Sequence, residues 1–406
     1  MRQLFPYAEN LDPALPLSGI KVVDLSRLLP GPHATLMLAD LGADVLKVED
    51  PHLGDYLRWA APHMKGDNPA FAQLNRNKRS LTLNLKMPEG REIFKKIVAE
   101  ADILLESFRP GVMSRLGLGY EDLQAVNPKL IYCAISGYGQ DGPYRNRPGH
   151  DLNYIGFAGA LAQGGPANGA PLIPGVQIAD LAGGSLMSLV GMLAALQGRY
   201  STGKGRFIDI SMTAGVTGLL PYQAGTYLAS GEATHRGQWR LNGGLPEYAV
   251  YETKDGKYLT VGALEPKFFN RLCTLLGMPE NDEINANSER GAQIRAALAA
   301  RFKEKTRDEW LALLADEEAC VGPAYELDEV FEDPHVAARG LVVEMKQRDG
   351  QKVRQLGLPF KMDGLEPQDV VRHPSPGYGE HTGAIMAALG YSPEEVQQFK
   401  SKGVIS

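Results

Sequence analysis

Short apolar runs alternating with amphipathic helical patterns dominate the first half of the chain. Ile20–Leu25 (IKVVDL) is a short apolar run, Ser26–His33 a turn rich in proline, and ATLMLADLGA a helical pattern capped by Gly42. Asp44–Glu49 (DVLKVE) gives a second strand, so these fifty residues predict one β-α-β unit, the building block of a parallel sheet. Ser80–Leu85 alternates as a strand, Pro88 opens the helix PEGREIFKKIVAEA, Asp102–Glu106 returns as a strand, and Leu130–Ser136 is another buried one. Gly183–Tyr200 is apolar on nearly every face, which predicts a helix buried in a core or a subunit interface. GKGRFIDISM at 203–212 then gives a turn and a strand. Near residue 225 the pattern changes. Residues 243–345 read as a smaller α+β domain, with Glu247–Thr253 and Lys257–Gly262 paired around the Asp255-Gly256 turn. A last amphipathic helix starts at Ser392-Pro-Glu-Glu.

The 406 residues suffice for two or three domains with large cores. Forty-two basic against 48 acidic residues give a net charge of −6 with no long block of one sign, which argues against nucleic-acid and anionic-membrane partners. There are 46 glycines, with no Gly-X-Y period and with 44% hydrophobic residues. That combination implies many tight turns and close backbone approaches rather than collagen or disorder. Cys133, Cys273 and Cys320 lie far apart without CxxC spacing, so neither a disulfide framework nor a zinc site is expected. The N-terminal arm lacks the apolar run of a signal peptide, and the longest apolar stretch, Leu186–Leu196, is too short to span a bilayer. A cytoplasmic chain is expected.

Several familiar chemistries are missing from the sequence. It contains no GxxxxGK[ST], HExxH or GxSxG motif, and the first strand-to-helix turn, LSRLLPGPH, lacks the GxGxxG spacing of a dinucleotide site. The candidates that remain are acid-base groups in glycine-rich loops. His150 follows Gly149 at the expected start of a helix, where the dipole favours neutral imidazole, so it is either a base near pH 7 or an exposed neighbour of an Asp151 N-cap. Asp180 precedes Gly183-Gly184 at the mouth of the apolar helix, where it is either an N-cap or a carboxylate whose neighbouring glycines let a substrate approach the backbone. Glu265 stands at a strand-to-helix turn, a position equally suited to a plain surface glutamate. The cluster Asn75-Arg-Asn-Lys-Arg79 and the turns at Arg109 and Arg115 offer phosphate contacts or solvated loops.

Taken in order, LSGIKVVDLSRLLPGPHATLMLADLGADVLKVE, LNRNKRSLTLNLKMPEGREIF, ESFRPGVMSRLGLGYEDL, LIYCAISGYGQDGPY, GHDLNY, IADLAGG, GKGRFIDISM, DGKYLTVGALEPKFF and GEHT resemble the family III CoA-transferase and α-methylacyl-CoA racemase superfamily, the L-carnitine dehydratase and bile-acid-inducible type. The resemblance runs from about residue 17 to the C-terminus. It implies an α/β fold: a large Rossmann-like parallel-sheet domain built from both chain ends, plus a smaller α+β domain. On that basis residues 1–225 and 346–406 form the large domain and 226–345 the small one with its linkers. It also implies an interlocked homodimer, or a heterodimer with a paralogous subunit, acting on an acyl-CoA substrate with no further cofactor.

The resemblance carries Asp180 onto the catalytic aspartate of both branches, His150 and Asp151 onto GHDxNY, and Glu265 onto a racemase glutamate expected from the partner subunit. Contacts to CoA are expected from Arg76, Arg79, Arg109 and Arg115, and from Leu83, Asn84, Leu85, Gly137 and Tyr154. The set His150, Asp180 and Glu265, with the Asn242–Pro246 loop, favours a racemase or epimerase of 2-methyl-branched or related acyl-CoA, working by two-base proton transfer. The long connection 51–74 and the segment Gly175–Asp180 look instead like the transferase branch, in which Asp180 would attack the thioester. A third alternative is a non-catalytic subunit that binds CoA or only its partner. One departure touches both branches, since Asp50 stands where many members place an arginine that helps hold CoA.

Overall fold

The computed structural model describes residues 3–62, 68–280 and 285–406; residues 63–67 of the 51–74 connection lie outside the described residues. The chain separates into two compact units. The first comprises residues 1–155, 176–218 and 334–406, and the second comprises 156–175 and 219–333. The second unit therefore starts and ends earlier than the expected 226–345, and it takes up residues 156–175, which the sequence assigned to the large domain.

In the first unit the strands β1 (Lys21–Leu25), β2 (Asp44–Glu49), β3 (Lys78–Thr82), β4 (Ile103–Glu106), β5 (Ile131–Ser136) and β6 (Phe207–Ser211) form one parallel sheet in the order β3-β2-β1-β4-β5-β6. Parallel strands covered on both faces bury nearly every side chain, which is why β2 and β5 read as unbroken buried runs. β6 is the half-exposed edge. One apolar cluster joins Val23, Leu46, Leu81 and Leu104 to Ile385, Met386, Val404 and Ile405, so widely separated parts of the chain share a core. A hairpin of β10 (Val342–Lys346) and β11 (Lys352–Leu356) lies in the same unit.

The sheet also contains buried ion pairs. Lys78 Nζ reaches Asp24 at 3.1 Å, Lys47 reaches Asp55 at 2.9 Å, Arg76 reaches Asp40 at 2.5 Å and Arg79 reaches Asp44 at 2.8 Å, each partner at most 4% exposed. The expected basic loop at 75–79 is thus a buried turn and strand whose charges are neutralised inside the fold. Removing either partner of such a pair would strand a charge away from water.

A helical run, Ala179–Thr202, opens with a π-helical segment, Ala179–Leu186, and continues as an α-helix, Met187–Thr202. It extends beyond the apolar stretch evident in sequence, with a mean hydropathy of 1.5 over 18 residues and half of that window buried. By length and composition alone it could cross a membrane, a property it shares with the core helix of a folded domain.

The second unit is built on an antiparallel sheet of β7 (Tyr248–Glu252), β8 (Tyr258–Gly262) and β9 (Val321–Ala324). Gly256 takes φ +77° in the β7–β8 turn, the conformation that Asp-Gly predicts. Leu259, Phe269, Leu272, Leu298, Phe302 and Trp310 form its separate core.

Candidate active site

In a sheet ordered β3-β2-β1-β4-β5-β6 the chain reverses direction of travel between β1 and β4, and their carboxyl ends flank a crevice. A cavity of about 670 Å³ lies there. Its wall is made by residues that leave those strand ends: Leu25, Arg27 and Leu28 after β1, Phe108 and Arg109 after β4, Ile135–Tyr138 from β5, and Met212 after β6. His150, Tyr154 and Asp180 complete it. Four strand ends and two helix starts thus bring distant sequence segments to one place.

The loop before His150 is shaped around the Tyr154 ring. A Cβ on Gly137 would lie 2.3 Å from that ring and one on Gly149 2.7 Å from it, so both positions exclude larger residues. The Tyr154 hydroxyl donates to the Gly149 carbonyl at 2.5 Å, and burial pushes the phenol up to about 12. His150 precedes the helix Asp151–Phe157, and its backbone N–H donates to the Asn153 side chain at 3.1 Å. Asn153 therefore fixes the backbone that presents the imidazole.

Asp151 caps the start of a different helix from the one expected, from a distant place in the chain. Its carboxylate accepts the backbone N–H of Ala179 at 2.6 Å and of Asp180 at 3.0 Å, satisfying free donors at the start of the π-helical segment. A negative charge is thereby held close to Asp180. Burial is the main cause that pushes the Asp180 carboxyl up, the Asp151 charge adds to it, His150 opposes it, and the result is about 6. Near neutral pH such a group exists in both protonation states, so it can give or take a proton.

Gly183 and Gly184 serve a purpose other than the expected one. A Cβ on Gly183 would meet the Met212 carbonyl at 2.5 Å, and one on Gly184 would press on Pro30 and Met212 at 3.1 Å. They admit neighbouring protein rather than substrate.

The cavity gathers His150, Asp180, Arg109, Gly137 and Tyr154 of the expected residues, with Asp151 bonded just behind Asp180. Arg76 and Arg79 are removed from the phosphate role by their buried pairing with Asp40 and Asp44. Leu83 is a core residue at 2% exposure, Leu85 packs against the same core, and Asn84 donates to the Gly403 carbonyl at 3.3 Å, so all three stand outside this cavity. Arg115 is exposed at the end of a short helix, also off the cavity. Glu265 lies in the second unit, exposed at the start of the helix Pro266–Leu275.

Sequence reasoning missed Arg27, Arg145 and Arg147, which line the cavity together with Arg109. Arg27 is steadied by a hydrogen bond to the Tyr56 hydroxyl at 2.8 Å and by the rings of Tyr56 and Phe108. The signal for two of them in the sequence is the pair Arg145 and Arg147 just upstream of Pro148-Gly-His. Four guanidinium groups on one cavity suit a ligand bearing phosphates. Among the described residues no group of three or more His, Cys, Asp or Glu is arranged to hold a metal.

The profile described as CoA-transferase family III matches residues 17–382. The chain is 36% identical to human succinyl-CoA:glutarate CoA-transferase over 96% of its own length and 90% of that protein. It is 37% identical to human alpha-methylacyl-CoA racemase over 96% of its length and 97% of that protein. Among solved structures, a CAIB/BAIF family protein from Brucella suis superposes with a TM-score of 0.80 at 37% identity, covering 92% of this chain and 99% of that one. By a profile match along most of its length and by relatives of this identity and coverage, the chain belongs to the CoA-transferase family III.

Proposed function

We propose that this family III enzyme inverts the α-carbon of a 2-methyl-branched or related acyl-CoA by two-base proton transfer between His150 and Asp180. The observation that carries the reading is that a neutral-range carboxyl, Asp180 at about 6, shares one cavity with an imidazole. For one epimer His150 takes the α-proton as the thioester becomes an enolate, and protonated Asp180 returns a proton to the opposite face. For the other epimer the two exchange roles. Arg27, Arg109, Arg145 and Arg147 supply charge for the phosphates of CoA. Val190 and Tyr200, 60% and 83% exposed on the long helix, favour a homodimer in which a second copy covers them.

The second reading is CoA transfer, in which the Asp180 carboxylate attacks the thioester carbonyl, forms a mixed anhydride and expels CoA thiolate. It is favoured by the identity to the human transferase. One experiment separates the two: incubate the protein with a chiral 2-methylacyl-CoA in D₂O, with and without a free carboxylic acid, and follow deuterium and CoA. Deuterium at C2 and loss of optical purity without the acid support inversion. Absence of exchange, with CoA moving only when the acid is present, overturns it.

A further inference from the structure

Asp180 is the second residue of a π-helical segment, and that conformation needs support from its surroundings. In a π-helix, with its wider turn, residues five apart stand roughly 50° from one another around the axis, whereas in an α-helix at about 100° per residue they stand roughly 140° apart. Relaxing the segment to α while its far end stayed fixed would therefore swing Asp180 by roughly a quarter turn.

What fixes the far end is Ser185, five residues beyond Asp180. Its hydroxyl lies 2.7 Å from His33 Nδ1, and Ser185 is fully buried. His33 belongs to the helix Pro30–Asp40, which follows directly on the loop containing the cavity residues Arg27 and Leu28. Burial, with Lys78 and Arg76 nearby, holds its imidazole below the ordinary value and keeps it neutral. The net gain from a neutral hydrogen bond is small, so what this pair chiefly adds is direction.

We infer that the His33–Ser185 hydrogen bond is a positioning device that holds the π-helical turn and so sets where the Asp180 carboxyl stands in the cavity. The role rests on the proton-transfer reading of Asp180, although the geometry it controls does not. With His33 Nδ1 gripping one end of the segment and the Asp151 carboxylate the other, the turn is pinned at both ends around Asp180.

The test uses the full-length protein and the variants Ser185→Ala, His33→Ala and His33→Asn, the last placing an amide where Nδ1 stands. Exchange of the α-proton gives kcat and KM. Carbodiimide-driven coupling of glycine ethyl ester to Asp180, read by peptide mass spectrometry across pH, reports its titration without reference to activity. Ser185→Ala and His33→Ala are expected to lower kcat by about 10- to 100-fold with KM within about twofold, as displacement of a reacting group does. His33→Asn should recover most of the loss. The labelling midpoint of Asp180 should fall in both alanine variants as the carboxyl moves into water, while His150 and Asp151, the titratable groups facing it, are unchanged. Unaltered kcat and an unaltered midpoint in folded Ser185→Ala overturn the inference. If the unmodified protein exchanges no α-proton, the proton-transfer reading falls, and the labelling midpoint alone decides the positioning role. Should His33→Ala fail to fold, Ser185→Ala still decides it, since it removes a single oxygen.

Discussion

The Asp151 carboxylate accepts the backbone N–H of Asp180 at 3.0 Å while its charge pushes up the Asp180 side chain, so one group both anchors and tunes the other. Asp151→Asn keeps an oxygen acceptor for the two N–H groups but removes the charge. The Asp180 carboxyl should then titrate below about 6, lower by about half to one pH unit. A pH profile of α-proton exchange, or of Asp180 labelling, checks the shift; an unchanged midpoint would mean that burial alone sets it.

Asp180 should also cost the fold stability. Because its folded value is raised, the folded chain holds a proton that the unfolded chain releases, and stability falls as pH rises from about 4 to about 6. Asp180→Asn escapes that loss. Urea titration should find the variant more stable than the parent by about 1 to 2 kcal/mol above pH 6, allowing for solvent in the cavity, and equal to it below pH 4.

Glu106 makes the same argument away from the cavity. It is 4% exposed at the end of β4, its carboxylate accepts the Phe108 N–H at 2.7 Å, and burial pushes it up to about 8. Stability should therefore decline as pH rises from about 4.5 to about 8, by a few kcal/mol in all. Thermal unfolding of Glu106→Gln should match the parent at pH 4 and exceed it increasingly towards pH 8; parallel curves would refute a buried neutral acid.

Two arginines separate folding from binding. Arg76→Ala strands the Asp40 carboxylate inside the fold and should cost about 3 to 5 kcal/mol. In whatever fraction stays folded, KM for an acyl-CoA should be unaltered. Arg145→Ala should do the reverse, raising KM several-fold at an unchanged melting temperature, because Arg145 is an exposed residue on the cavity. Steady-state kinetics beside calorimetry on both variants resolves the two cases.

These arginines also mark where reading the sequence succeeds and where it stops. Asp44–Glu49 is a strand with the expected bounds, because a parallel strand buried on both faces leaves an unbroken local signature. The strand expected at Ser80–Leu85 instead starts at Lys78, and what permits Lys78 and Arg79 inside is Asp24 and Asp44, many residues earlier in the chain. Nothing in the local run announces those partners. His150 and Asp180 stand in recognisable motifs, whereas Arg27 joins them at the cavity only because the ends of β1 and β4 lie side by side. The π-helical start at Ala179 is likewise absent from the local pattern, since the groups that meet the segment, among them His33, Asp151 and Met212, are distant in sequence.

The core shared by Leu46 and Leu81 with Val404 and Ile405 has a consequence during synthesis. At about 5 to 20 residues per second, the strands near residue 82 leave the ribosome on the order of tens of seconds before residues 404 and 405 are made. Over that interval the core begun by Leu46, Leu81, Phe94 and Ile97 lacks the part that Ile385, Met386, Val404 and Ile405 complete, and residues 219–333 of the second unit are made before that part is. Slowing translation beyond residue 333 should therefore lower soluble yield without touching a single residue of the cavity.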